Sequence, residues 1–215
     1  TGSLTKTGVG VLALSGTGTY GGSTTVNDGE FRMRTTPNRL PITTDLIVNS
    51  PGIFNINGPQ SQQVASLTGN GTVGTGSGTL TVSGSASTTF DGALKNIANA
   101  GAGAVTTGNG RLTKAGTGVL TLTSPLNDLK GRITMQGGGL VVASGATLCD
   151  AIADLYIDGG KLTLNNAAQT VENISNTTAG MFGEIELGSG HVLTTDPVAS
   201  TTFEGLISGG GGLTK

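Results

Sequence analysis

An all-β chain is what this sequence predicts, folded as a β-solenoid of stacked parallel strands. Three observations predict it. Apolar residues alternate at period two instead of recurring at helical spacing, which places them on one face of a strand. Gly accounts for 39 of the 215 residues and interrupts nearly every apolar run. A long motif also recurs. It opens the chain as Leu4-Thr5-Lys6-Thr7-Gly8-Val9-Gly10-Val11-Leu12-Ala13-Leu14 and returns as Leu112-Thr113-Lys114-Ala115-Gly116-Thr117-Gly118-Val119-Leu120-Thr121-Leu122. Leu213-Thr214-Lys215 are the first three residues of a further copy. Short strands with frequent turns fit either a sandwich or a coil. A long internal repeat decides for the coil, because repeating units of this kind bury their apolar faces against their neighbours.

The elements follow in order. The first strand contains Val9 and Val11 in one register and Leu12 and Leu14 in the next. Phe31 and Met33, Phe54 and Ile56, then Leu80 and Val82 mark later strands of the first unit. The second unit contributes Leu120 and Leu122, Leu140 and Val142, Leu162 and Leu164, Val171, and Ile185 with Leu187. Asn27-Asp28-Gly29, Asn57-Gly58, Asn70-Gly71 and Asp158-Gly159-Gly160 supply positive φ and mark tight turns. Two stretches carry weak helical spacing: Leu94, Ile97 and Ala98, and the run from Asp150 to Asp158.

Other segments repeat with the motif. Gln62-Gln63-Val64-Ala65-Ser66-Leu67 matches Gln169-Thr170-Val171-Glu172-Asn173-Ile174, Ser87-Thr88-Thr89-Phe90-Asp91-Gly92 matches Ser200-Thr201-Thr202-Phe203-Glu204-Gly205, and Gly76-Ser77-Gly78 matches Gly188-Ser189-Gly190. The chain therefore divides into two tandem units of about 105 residues, 1–107 and 108–210, with 211–215 starting a third, in one continuous solenoid. With turns of roughly 20–25 residues, each unit holds four or five turns, and strands stacked at about 4.8 Å make a rod of about 45 Å. Both ends fall at the same repeat phase without a capping element, so the parent chain is expected to continue in register.

Composition excludes several classes. Aromatics are 3 %, charged residues 11 %, and Trp is absent. With 35 % hydrophobic residues and 6 Pro, the chain is no disordered linker. The net charge is −2 and the pI near 5.2. The densest basic stretch, Arg32, Arg34 and Arg39, reads as a solvated loop, so no nucleic-acid partner is expected. No apolar run approaches the ~20 residues of a membrane-spanning helix.

No residue set is expected to be catalytic, to bind a cofactor or to hold a metal. Cys149 and His191 are the sole Cys and His and fall on different rungs. Gly16-Thr17-Gly18-Thr19-Tyr20-Gly21 matches the spacing of a dinucleotide loop, but Ser23-Thr24-Thr25-Val26 follows as a strand where a helix is needed. Glu184 and Glu186 alternate on one strand about 6.6 Å apart, within glycosidase range, but share one environment and read as a charge stripe. Asp45 with Asp154 and Asp91 with Glu204 occupy matched repeat positions. The sequons at Asn70, Asn173 and Asn176 arise readily in so Thr- and Ser-rich a chain.

Leu4-Thr5-Lys6-x-Gly8-x-Gly10-x-Leu12-x-Leu14-Ser15-Gly16, followed by Tyr20, Gly22, Thr24-Thr25-Val26 and Gly29, resembles the passenger-associated transport repeat of bacterial autotransporter passengers. Gly18 stands where that pattern has Asn. The second copy keeps Asn127 but has Leu129 for the Tyr, and Gly131, Thr134, Met135, Gly138 and Leu140 follow its course. The resemblance implies a right-handed parallel β-helix exported through the outer membrane of a Gram-negative bacterium and displayed at the cell surface. It further implies a non-enzymatic adhesive or structural shaft, with adjacent repeats, other copies, or host carbohydrate and protein ligands as partners. A carbohydrate-binding or carbohydrate-active β-helix is the alternative.

Overall fold

The computed structural model describes residues 2–34, 36–97, 108–165 and 168–215. All described regular structure is strand, and every paired strand is parallel to its neighbour. The strands coil into a three-faced β-solenoid of about 9 turns. At about 4.8 Å per rung, those turns rise about 43 Å.

Face one stacks Leu4–Lys6, Thr24–Val26, Asp45–Val48 and Ser66–Thr68. A bridge from Gly69 to Phe90 continues it into Thr88–Phe90, Val119–Leu122, Gly139–Val142, Lys161–Leu164, Glu184–Leu187 and Leu206–Gly209. Face two begins with Val11–Leu14, Glu30–Met33, Ile53–Asn55, Thr72–Gly74 and Ala93–Lys95. It resumes with Ala168–Val171, Val192–Thr195 and Gly212–Thr214. Face three stacks Ser61–Val64, Thr79–Val82, Arg111–Lys114, Arg132–Met135, Asp154–Ile157 and Ile174–Ser175. On face one, register partners such as Leu4 and Thr24, or Lys161 and Glu184, lie 20 to 23 residues apart. The one longer step, from Thr88 to Leu120, spans segment 98–107, which lies outside the described residues.

The alternation read from the sequence points inward as expected. Phe31, Met33, Phe54, Ile56, Leu80, Leu120, Leu122, Leu140, Val142, Leu162, Val171 and Ile185 are fully buried in one continuous core. Each turn buries only a few side chains and depends on the rungs above and below. The first strand differs from expectation. Val9 and Val11 are exposed; Leu12 and Leu14 stand in register with the buried Phe31 and Met33, but on this first rung Leu12 is still exposed and Leu14 only partly buried. Both weakly helical stretches contain strands instead, Ala93–Lys95 and Asp154–Ile157; Ala98 lies outside the described residues.

The recurring motif is a strand, a corner and a second strand. In its first copy Leu4–Lys6 turns through 7–10 into Val11–Leu14. In its second, Arg111–Lys114 turns through 115–118 into Val119–Leu122. Gly8 and Gly116 adopt φ of 73° and 65°. On the next rung, Gly138 has φ +62°, and a Cβ there would lie 2.3 Å from the Gly118 carbonyl oxygen. Successive corners therefore nest only when they are glycine. Lys6 closes the first corner from inside, its Nζ donating to the carbonyls of Thr7 (2.9 Å), Gly8 (2.5 Å) and Asp28 (3.0 Å). Lys114 is buried likewise and donates to the Ala115 carbonyl; burial pushes its ammonium pKa down.

Motif length and coil length do not match in phase. The first Leu-Thr-Lys lies on face one of the first turn, and the second on face three of the fifth. Leu213 and Thr214, from the next copy, lie on face two of the tenth. Each copy thus advances fourteen strand positions, or four and two-thirds turns, and the motif rotates by one face.

Candidate functional surface

Three faces of a narrow rod bring few reactive groups together. Among the described residues, no group of three or more His, Cys, Asp and Glu has the proximity of a metal site. Cys149 is buried and accepts a long contact from the Gln169 amide at 3.8 Å. Burial, with Asp150 adding to it, pushes its thiol well above the usual range. His191 sits at the corner after Glu184–Leu187, two turns further along, with Nδ1 buried and unpartnered. The pair is not brought together.

Glu184 and Glu186 both point outward on face one and flank Lys161 of the neighbouring rung, at 3.4 Å and 3.1 Å. Ser208 Oγ donates to Glu184 at 2.6 Å, and this bond, with Lys161, lowers the Glu184 carboxyl pKa. Thr163 Oγ1 donates to Glu186 at 3.1 Å. Acid catalysis needs carboxyls in contrasting environments. These two share one cation and one open face.

The remaining candidates resolve into scaffold contacts. The loop 16–21 leads into strand Thr24–Val26. Asp45 accepts from Ser66 Oγ at 2.5 Å, and its counterpart Asp154 from Asn173 Nδ2 at 2.7 Å. Asp91 accepts from Thr123 Oγ1, while Glu204 accepts from the Gly180 amide, both at 2.7 Å. Asn176 donates to the carbonyls of Ile157 and Met181, and Asn70 accepts from the Ser50 amide. Arg32 is not in a loop. It lies in strand Glu30–Met33 and forks onto the buried Glu30 at 2.9 and 2.6 Å.

The outward surface has two features. Face one presents a column of Thr5, Thr25, Ile47, Thr68, Thr89, Thr121, Val141 and Thr163, one residue per rung. Face three gathers Arg111, Lys130 and Arg132 around a groove of about 230 Å³ that also holds Asp154 and Glu172. Sequence proximity did not reveal this cluster, because Arg111 and Arg132 are 21 residues apart. That interval is one turn of the coil, and the cluster is legible once turn length is known.

A parallel three-faced solenoid, with a glycine corner and a buried lysine in both full copies of the motif, defines a tandem-repeat β-solenoid. Residues 4–32 and 112–142 match the passenger-associated-transport-repeat family, and the chain is an autotransporter passenger segment built on that repeat. It is 33 % identical over 228 residues to the protein named Adhesin BmaC autotransporter of Brucella suis biovar 1 (strain 1330). That alignment covers 100 % of this chain and 6 % of the relative, so the chain spans a small fraction of that protein's length. No solved structure matches.

Proposed function

We propose that this chain is a stretch of an adhesive shaft, displayed at the surface of a Gram-negative bacterium and non-enzymatic. The carrying observation is the parallel coil, whose ionisable groups, among the described residues, either brace the scaffold or lie on open faces. The relative named as an adhesin supports the adhesive half of the reading. Fusing the chain to a neutral surface-display carrier on a non-adherent Gram-negative host tests it. Attachment to glass and to cultured cells should exceed that of the carrier alone; equal attachment would refute the adhesive role.

The rival carbohydrate-active reading has its own test. Incubation with pectins, alginates and other polysaccharides should give no turnover above buffer. Saturable turnover that disappears in Glu184→Gln or Glu186→Gln would overturn the non-enzymatic assignment.

A further inference from the structure

The basic groove on face three is costly for the scaffold and unnecessary to it. Arg111 and Arg132 occupy adjacent rungs in the same outward column, since their neighbours Leu112 and Ile133 are register partners. Their backbones are therefore about 4.8 Å apart, and like charges directly opposite each other in a sheet are destabilising. Lys130 adds a third positive charge to the same groove. Among the described residues, none of the three has a carboxylate within ion-pair distance. Asp154 follows Arg132 in the column, but one of its oxygens is taken by Asn173.

The other motif copy supplies an internal control. Leu4 pairs with Thr24 as Leu112 pairs with Ile133, so Ser3 and Ser23 occupy the positions of Arg111 and Arg132. The Gly22 amide bonds the Gly2 carbonyl as that of Gly131 bonds Gly110, which sets Gly21 against Lys130. The same coil is built with Ser, Gly and Ser at these three places. Asp45, by contrast, matches Asp154 and makes the equivalent scaffold contact. The three cations are additions to the fold; of the two acids in the groove, Asp154 belongs to the scaffold, while Glu172 stands where the first copy has Ala65, which leaves the groove with three positive charges against two negative ones.

One of the cations is also held in place. The Arg132 guanidinium lies 3.9 Å from the centroid of the Tyr156 ring on the neighbouring rung. Such stacking fixes the plane of the guanidinium and leaves its donor edge free for a two-pronged contact with an oxyanion. The position matching Tyr156 in the other copy is Ile47, which offers no ring face.

We infer that the groove of Arg111, Lys130 and Arg132 binds an acidic polysaccharide through its carboxylate or sulfate groups. A rod with regularly spaced rungs suits an extended polyanion, and the groove stands out on a chain of net charge −2. The Tyr156 face is covered by Arg132, so it offers no stacking platform for a nucleobase. The biological setting rests on the adhesive reading, but the binding itself does not.

The test uses the whole chain and its Arg111→Ser/Arg132→Ser variant, which carries the residues of the first copy. Binding is measured to polygalacturonate, heparin, neutral dextran and oligo(dT), at low and high salt, with circular dichroism and thermal melting as controls. The wild type should bind polygalacturonate, heparin or both; which of the two binds separates carboxylate from sulfate recognition. It should not bind dextran, and should bind oligo(dT) more weakly. The variant should melt no lower and lose about tenfold or more in affinity. Arg132→Lys keeps the charge but loses the fork, and should fall between. Equal binding by wild type and variant, no binding to either acidic glycan, or equal binding to oligo(dT) would overturn the inference. If surface attachment persists while the arginines prove irrelevant, only this inference falls. If glycan binding depends on them while display confers no attachment, only the adhesive reading falls.

Discussion

Gln62 does for Leu40 what Gln169 does for Leu148. Near residues 40 and 148 the coil runs without a regular strand, and backbone groups face the core. Gln62 Oε1 accepts from the Leu40 amide at 3.0 Å, while its Nε2 donates to the Leu40 carbonyl at 3.2 Å. Gln169 repeats the device, accepting from the Leu148 amide at 2.9 Å and donating to the Cys149 carbonyl at 3.2 Å. Asn127 works similarly, accepting from the Leu94 amide and donating to the Thr147 carbonyl, both at 2.8 Å. A side-chain amide offers the same donor and acceptor as a peptide, so it can stand in for a missing ladder partner. Gln62→Leu keeps the bulk but orphans two buried groups, and should cost about 2–4 kcal/mol in denaturant unfolding. A loss below about 0.5 kcal/mol would mean that the amide is decorative. Cys149, in the same gap, should resist thiol reagents until denaturant is added, and Cys149→Ala should cost about 1 kcal/mol. Rapid labelling of the native chain would contradict its buried position.

At the scale of the element, the corner sets the constraint. Gly138 takes φ +62° with the Gly118 carbonyl where a side chain would begin. Gly138→Ala therefore combines an unfavourable left-handed conformation with a clash against backbone and should cost about 2 kcal/mol or more. A Gly137→Ala control meets its nearest neighbour at 3.1 Å with no φ in that region, and should cost less. Equal melting temperatures for the two variants would show that the corner tolerates a Cβ. Some corners were legible in the sequence: Asp28-Gly29 and Asn57-Gly58 name the turn chemistry directly and both glycines take positive φ, whereas Gly138 follows Gly137 and carries no such signature. Most strands were legible too, since pairs such as Phe54 and Ile56 leave only one face to bury. Ala93–Lys95 was not, because three residues are too few to display a period. Val9 and Val11 were read as part of a strand's inward face, but composition cannot distinguish an outward valine from an inward one. The basic groove was invisible for a further reason: its members are neighbours in rungs, not in sequence.

At the scale of the whole molecule, the phase slip between motif and coil governs what the surface presents. A repeat of whole turns would stack every copy on one face and give the rod a single repeating side. Here each copy advances four and two-thirds turns, so equivalent outward residues appear on successive faces. Thr5 and Thr113 hold the same place in the motif but project from faces one and three. Thr121, by contrast, shares the outward column of Thr5 on face one, five turns along. The axial separations are close, about 22 Å for Thr5 to Thr113 and about 24 Å for Thr5 to Thr121. Electron-electron distance measurements between spin labels can separate the two geometries in a Cys149→Ala background. Labels at Thr5 and Thr113 point away from different faces, so their distance should exceed that between Thr5 and Thr121 despite the shorter rise. The reverse order would place the motif copies on one face and refute the rotation. If the order holds, a ligand contacting one motif position on successive copies must wind around the rod, whereas one running along a single face meets a different motif position at each copy.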